Sequence, residues 1–373
     1  MDQAAQKLTK HATENAFVHP DARRGRGTVT NRAGRYERQR LTKADDGWNN
    51  LDKEPEVLRT QVLRDSTHGI LARNKSPDIP FDRSINPYRG CEHGCVYCFA
   101  RPTHAFLGLS AGLDFETKIF VKPDAADLLE SELRKPGYRP QVIAMGTNTD
   151  PYQPLEKERQ ITRSILEVLS RFQHPVSIVT KSHLVTRDID ILGPMAANGL
   201  AKVSLSITTL DHRLARSMEP RASTPGRRLD AIRLLKAAGI PTGVMFAPAI
   251  PGLNDQEMES VLEATADAGA DEGRYVVLRL PLEVKDLFQE WLAENTPHRA
   301  GRIMALIRSM NDGRDYHPAW GNRQVGRGAY ADALSKRFSL AARRLRLNTN
   351  AHRLSTTKFR VPTDKRDCQL TLF

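Results

Sequence analysis

From residue 118 onward, short apolar runs recur along the chain with amphipathic stretches between them. The runs are Lys118 to Val121, Val142 to Met145, Val176 to Thr180, Val203 to Ile207, Thr242 to Ala247 and Tyr275 to Leu280, spaced roughly 25 to 40 residues apart. Between them, residues 125–134, 156–171, 228–238 and 256–268 carry apolar side chains at i, i+3 and i+4, as Leu229, Ile232, Leu235 and Ala238 illustrate. Short apolar strands alternating with amphipathic helices predict successive βα units on a parallel sheet. About six units are too few to close an eight-stranded barrel, so the pattern predicts an α/β fold, a partial TIM-type barrel over residues 77–285.

The flanks read differently. Beyond Leu287, Trp291, Ile303, Leu306 and Ile307 suggest one helix, and Tyr330, Leu334, Phe338 and Ala341 another that ends in Arg343, Arg344 and Arg346. Gly326-Arg327-Gly328 separates them, giving a small helical, basic region over 286–354 and a flexible tail over 355–373. Residues 1–76 predict a basic, partly disordered extension, with Arg23, Arg24, Arg26, Arg32, Arg35, Arg38 and Arg40 set among Gly and small polar residues. The net charge of +12 is uneven: 1–80 carry +4, 81–298 carry −3 and 299–373 carry +11. A basic C-terminal third on a mildly acidic body predicts a surface for a polyanion. Met1 to His11 lacks the apolar run of a signal peptide, and no stretch approaches a membrane span. Four cysteines form no disulfide framework, so the expected compartment is a reducing cytoplasm without membrane attachment.

Three of those cysteines, Cys91, Cys95 and Cys98, fall in one stretch with C-x3-C-x2-C spacing. A short turn of that spacing can aim three thiolates at one point, which suits a metal centre. A zinc site closed by His93 is one reading. No second CxxC pair exists to complete four ligands, which favours a [4Fe–4S] cluster held at three corners with one iron open. Polar motifs follow successive strand runs, where a βα barrel gathers its chemistry. They are Gly146-Thr147-Asn148-Thr149-Asp150-Pro151-Tyr152-Gln153-Pro154, Thr180-Lys181-Ser182, the Ser204 to Asp211 stretch, Glu219-Pro220-Arg221-Ala222 and Pro248 to Asp255.

Taken together, these motifs over roughly residues 80–285 resemble the spore photoproduct lyase-like, DNA repair photolyase-like branch of the radical S-adenosylmethionine (radical SAM) superfamily. The resemblance implies an open (β/α)6 barrel and a [4Fe–4S] cluster on Cys91, Cys95 and Cys98. It also implies reductive cleavage of S-adenosylmethionine to methionine and a 5′-deoxyadenosyl radical, with an electron donor such as flavodoxin or ferredoxin. Tyr97, at the aromatic position of the motif, would lie near the adenine. The Gly146 to Asp150 segment, with Asn148 and Thr149, would meet the methionyl amino group. Lys181 and Ser206 would meet ribose or carboxylate, Arg221 a carboxylate, and Asn254 the adenine or ribose. The branch's extra barrel cysteine has no counterpart here, which leaves Tyr88 and Tyr152 as candidates for returning a hydrogen atom. A lyase-type reaction on a DNA lesion is the expected function. Modification of RNA or protein, or a basic nucleic-acid-binding protein with a structural metal, are the alternatives. Gln369-Leu370-Thr371-Leu372-Phe373 resembles the peptide that docks repair proteins onto the DNA sliding clamp, with Gln369, Leu370, Leu372 and Phe373 as contacts.

Overall fold

The computed structural model describes residues 16–37, 57–350 and 352–363. The clamp-like segment 369–373, Cys368, Arg38 and Arg40 lie outside the described residues. Among the described residues ten strands are formed: β1 (Gln61–Arg64), β2 (Leu71–Arg73), β3 (Arg83–Ile85), β4 (Tyr88–Arg89), β5 (Lys118–Val121), β6 (Ile143–Met145), β7 (Val176–Thr180), β8 (Ala201–Ser206), β9 (Thr242–Ala249) and β10 (Glu272–Val277). Seven of them make one sheet in the order β10-β9-β8-β7-β6-β3-β2, parallel throughout except for β2 on its edge. The parallel strands sit side by side in chain order, with no reversal of the kind that marks a doubly wound sheet. β10 and β3 do not pair, so the winding is that of a barrel left open, the predicted partial (β/α)6 architecture. Ile85, Ile143, Ile178, Leu205, Val244 and Phe246 line its core, each all but fully buried.

Three expectations need correction. The run Lys118 to Val121 is a strand but not a barrel strand; β5 pairs in parallel with β1 and antiparallel with β4 in a separate three-stranded sheet. The barrel's first strand is β3, whose three residues Arg-Ser-Ile carry no apolar run. Arg83 is nonetheless buried there, bonded to Asp82 at 2.8 and 3.0 Å and to the Arg139 carbonyl at 2.8 Å. The helix predicted over 156–171 is two, Glu156–Arg159 and Ile161–Arg171, broken at Gln160 with φ +51°. The Glu156 carboxylate turns inward there to accept the Thr162 amide at 3.1 Å and the Tyr88 hydroxyl. Likewise Trp291 and Ile303 sit on separate helices, Glu283–Asn295 and Pro297–Ser309, because Pro297 cannot continue the first.

These C-terminal helices occupy different places. Glu283–Asn295 and Pro297–Ser309 share an apolar cluster with Cys95, Val96 and Tyr97, and the Trp291 indole donates to the Ser217 carbonyl at 3.0 Å. Ala329–Arg344 instead runs along the outside of the barrel. Near its start Tyr330 donates to Asp255 at 2.7 Å, in the loop after β9. Past its end the Asn348 amide reaches the Asp271 carbonyl at 2.9 Å, just before β10 begins. Arg343, Arg344 and Arg346 therefore lie at the N-terminal ends of the strands, away from the cysteines. Arg344 is also paired with Glu263.

Three of the N-terminal arginines are neutralised within the fold. Arg23, Arg32 and Arg35 pair with Glu294, Glu290 and Glu283 along the helix Glu283–Asn295. Between them the chain is drawn across the cysteine loop. A Cβ on Gly27 would fall 1.8 Å from the Gly94 carbonyl oxygen, so only glycine allows this crossing. Glu116, wholly buried, receives the Gly27 amide at 2.8 Å, the Thr28 amide and hydroxyl at 3.0 Å, and the Arg101 guanidinium at 2.7 Å. Arg101, also wholly buried, donates onward to the Cys95 carbonyl at 2.8 Å. Replacing Glu116 with Ala leaves the buried Arg101 guanidinium without its countercharge and two amides without acceptors. Urea unfolding of the apo-protein is expected to show a loss of roughly 3 to 5 kcal/mol. A loss under about 1 kcal/mol, the worth of an exposed pair, would contradict this role.

Candidate active site

The cysteine loop leaves β3 at its C-terminal end and is shaped by turns. Gly90 takes φ +82°, where a Cβ would meet the Phe115 carbonyl at 2.9 Å. The Gly94, Cys98 and Arg101 amides bond back to the carbonyls of Cys91, Cys95 and Cys98 at 3.2 to 3.4 Å. The Val96 amide reaches the Met218 carbonyl at 3.0 Å, and the Arg221 amide reaches the His93 carbonyl at 3.3 Å. The stretch 218–223 is thereby laid alongside the loop. All three thiols are unbridged; Cys91 and Cys95 are buried and Cys98 is partly exposed. Burial, reinforced by Asp150, pushes the Cys91 thiol well above its ordinary range; burial and then Glu219 push Cys95 up to about 12. Both thus hold their protons until a metal displaces them.

Asp150 and Glu219 organise the surrounding strand ends. Asp150 accepts the Thr180 hydroxyl at 2.6 Å, the Lys181 amide at 2.7 Å and the Tyr152 amide at 2.9 Å. Its Oδ2 faces His93 Nδ1 at 3.4 Å, an ion-pair distance without hydrogen-bond alignment. Burial would raise this carboxyl, but His93, Thr180 and Lys181 together hold it at about 2. Glu219 accepts from Tyr97, Thr208 and Arg228. Here too burial is outweighed, by Arg228, Lys181 and the two hydroxyls, and the carboxyl is held at about 2. Tyr97, raised by burial and then by Glu219, stays protonated. Lys181 Nζ lies 5.8 Å from the centre of the Tyr97 ring and donates to Ser206 at 2.9 Å.

Tyr97, Lys181, Ser206 and Asp150 are thus brought together around the cysteine loop. Gly146, at φ +86°, lets the chain pass β7, since a Cβ would sit 1.9 Å from the Val179 carbonyl oxygen. The Asn148 amide bonds to Asn86 at 3.1 Å and the Thr149 hydroxyl to the Tyr88 carbonyl at 3.2 Å. Arg221 pairs with Glu92 at 3.0 Å and remains one-third exposed, 33% by side chain. Asn254 is fully buried, with its amide bonded to the backbone of Thr208, Pro248 and Ile250 at 2.6, 3.0 and 2.7 Å; it braces the loop after β9. Tyr88 and Tyr152 are buried in the core, their hydroxyls donating to Glu156 and Asp188. In this arrangement both brace the barrel wall. Sequence reading passed over Glu219, Arg228 and the Asp150–His93 contact. Glu219 stood inside a noted motif, but Arg228 reads as an ordinary polar position of a helix.

The family model for the radical SAM superfamily matches residues 85–265. The chain belongs to that superfamily. An uncharacterized protein of Mycobacterium tuberculosis is 38% identical over 249 residues, 65% of this chain and 73% of that one. An uncharacterized protein of Methanocaldococcus jannaschii is 31% identical over 173 residues, 46% of this chain and 62% of that one. Among solved structures, spore photoproduct lyase complexed with dinucleoside spore photoproduct aligns with a TM-score of 0.53 at 17% identity, over 76% of this chain and 78% of that one. A variant of that lyase with bound S-adenosylmethionine aligns equally well, with a TM-score of 0.53. The likeness at that identity is one of fold.

As a radical SAM protein, the chain uses a [4Fe–4S] cluster and S-adenosylmethionine. Its donor set fits: three free cysteines on one loop, walled by Met218, Ile250 and Leu253. Among the described residues, no three Cys, His, Asp or Glu side chains are arranged for a single metal ion, and His93 faces Asp150. No helix among the described residues is long and apolar enough to cross a membrane.

Glu219 also gives the site a pH signature. Its carboxyl is held at about 2 against an ordinary 4.5, so its stabilisation is complete above about pH 5 and is lost as pH falls toward 2. Glu219→Gln leaves Arg228 without its countercharge and is expected to cost roughly 3 to 5 kcal/mol at pH 7. The gap to the parent should narrow steadily below about pH 4.5 in urea titrations of the apo-protein. A gap that stays constant down to pH 3 would mean that folding does not lower the Glu219 carboxyl below its ordinary range.

Proposed function

We propose that this chain is a radical SAM enzyme acting on nucleic acid, with a DNA lesion as the favoured substrate and a lyase-type repair reaction as its chemistry. The observation that carries the enzymatic half is the loop of three unbridged cysteines at the C-terminal ends of the barrel strands, beside the Tyr97–Glu219–Arg228 network. Cys91, Cys95 and Cys98 would hold the cluster. The chemistry such a cluster would supply, once reduced by an external donor, is one-electron cleavage of bound S-adenosylmethionine to methionine and a 5′-deoxyadenosyl radical. Tyr97, oriented by Glu219, would present its ring toward the adenine. Lys181 would reach the carboxylate or ribose with Ser206 beside it, and the Gly146 to Asp150 backbone would receive the amino group. Arg221, already turned to the cysteine loop by Glu92, would offer its exposed edge to a carboxylate. Asn254 would act indirectly by fixing the loop after β9. A small reductant such as flavodoxin or ferredoxin would deliver the electron.

The substrate half rests on the fold shared with a lyase solved on a dinucleoside lesion, together with the net charge of +12. With the Tyr88 and Tyr152 hydroxyls bonded to carboxylates in the core, hydrogen return to a product radical would fall to a group brought in by substrate or cofactor. Anaerobic reconstitution is expected to load about four irons per chain, and Cys91→Ala, Cys95→Ala or Cys98→Ala to abolish loading. With dithionite, the loaded protein should form 5′-deoxyadenosine, and ultraviolet-irradiated DNA should raise that rate above undamaged DNA or RNA. Stimulation by RNA or by a protein extract alone would overturn the DNA assignment. Stoichiometric zinc in place of iron would overturn the enzymatic one.

A further inference from the structure

Arg279 stands apart from the other cations near the cysteines. It lies just beyond β10, at the end of the barrel where the cysteine loop sits, and its guanidinium carbon is 4.5 Å from the centre of the Phe99 ring. Phe99 follows Cys98 directly and is 39% exposed. Arg101, Arg221 and Arg228 each have a carboxylate partner, and Lys181 has Ser206. Arg279 Nε is buried with no hydrogen-bond partner, and among the described residues no hydrogen bond or ion pair reaches its guanidinium. Asp78 feels its charge at longer range, but that carboxylate is bonded to the Gly321 amide at 2.7 Å and to Arg323 at 2.5 Å.

A guanidinium held over an aromatic ring is attracted to the ring face without using its N–H groups, which leaves them available to an oxyanion. Leaving a buried N–H without an acceptor is costly, which makes the free site incomplete without a ligand. We propose that Arg279, held over the Phe99 ring, takes a backbone phosphodiester of the polynucleotide substrate, beside the nucleotide that enters the barrel mouth. The inference rests on the nucleic-acid reading above and locates its anchor. The remaining basic segments point the same way by their placement. Arg23, Arg32 and Arg35 are matched to glutamates on the helix Glu283–Asn295, and Arg343, Arg344 and Arg346 lie at the far end of the barrel.

The test uses the reconstituted holoenzyme and a fluorescein-labelled single-stranded DNA dodecamer, followed by anisotropy across a potassium chloride series. S-adenosylmethionine binding is measured separately by equilibrium dialysis. Arg279→Ala is expected to weaken the oligonucleotide about tenfold and to flatten the salt slope by about 0.7, one phosphate contact on a single strand. Arg279→Lys, which keeps the charge without the planar fork, should restore the slope while recovering only part of the affinity. Parent-like oligonucleotide binding by both variants overturns the inference and leaves the nucleic-acid reading standing. Parent-like oligonucleotide binding with weakened S-adenosylmethionine binding also overturns it, by assigning Arg279 to the cofactor's carboxylate. A parent protein that binds neither DNA nor RNA dodecamers at any salt overturns the nucleic-acid reading and this inference with it.

Discussion

The buried carboxylate of Glu116 is the contact on which the cysteine loop depends. It gathers an amide from Gly27, an amide and a hydroxyl from Thr28, and the Arg101 guanidinium, which itself holds the Cys95 carbonyl. A single charge thus joins the N-terminal segment, the helix Leu113–Thr117 and the loop that carries the thiols. A buried ion pair of this kind adds little over a well-packed apolar replacement, but breaking it is expensive. Its consequence is specificity of position. The chain crossing at Gly27 and Gly94 is too close for any other residue, and the arginines flanking it are matched to glutamates along one helix. The basic N-terminal segment is therefore part of the wall of the site.

A second constraint acts at the ends of the strands. Asp150 ties the loop after β6 to β7 and faces the cysteine loop through His93, while Glu219 ties Tyr97 to the helix Pro225–Ala237 through Arg228. Both carboxyls remain ionised despite burial, because each is met by cations and hydroxyls that outweigh the loss of water. Burial raises the thiols of Cys91 and Cys95 and the negative charge of these carboxylates adds to it, while Lys181 and Arg228 act in the opposite sense on Cys95. The site is a balanced set of charges laid out around a point where further charge is to be held.

Much of this was legible in the residues and some was not, for physical reasons. β6, β7, β8 and β9 announced themselves because their apolar residues are consecutive or alternate over a strand's length. β3 did not, because it is three residues long and buries an arginine. β5 had the right pattern and the wrong sheet, since apolar alternation reports burial of a face and not the partner strand. The cysteines were visible from spacing alone. Asp150, Lys181 and Ser206 followed from strand-end position, but Arg228 did not, because its function comes from burial at the foot of a helix. Net charge reported the sum and not the place: among the described residues Arg23, Arg32 and Arg35 are matched by glutamates and Arg343, Arg344 and Arg346 lie at the far end of the barrel, whereas Arg279 is not matched.

The central claim is that the loop of Cys91, Cys95 and Cys98 holds an iron–sulfur cluster with a position left for S-adenosylmethionine. Electron paramagnetic resonance of the anaerobically reconstituted, dithionite-reduced protein tests it most directly. The account predicts a [4Fe–4S]+ signal whose g-values and line shape change when S-adenosylmethionine is added. A cluster signal indifferent to S-adenosylmethionine, or a protein that takes up zinc and gives no signal, would contradict it.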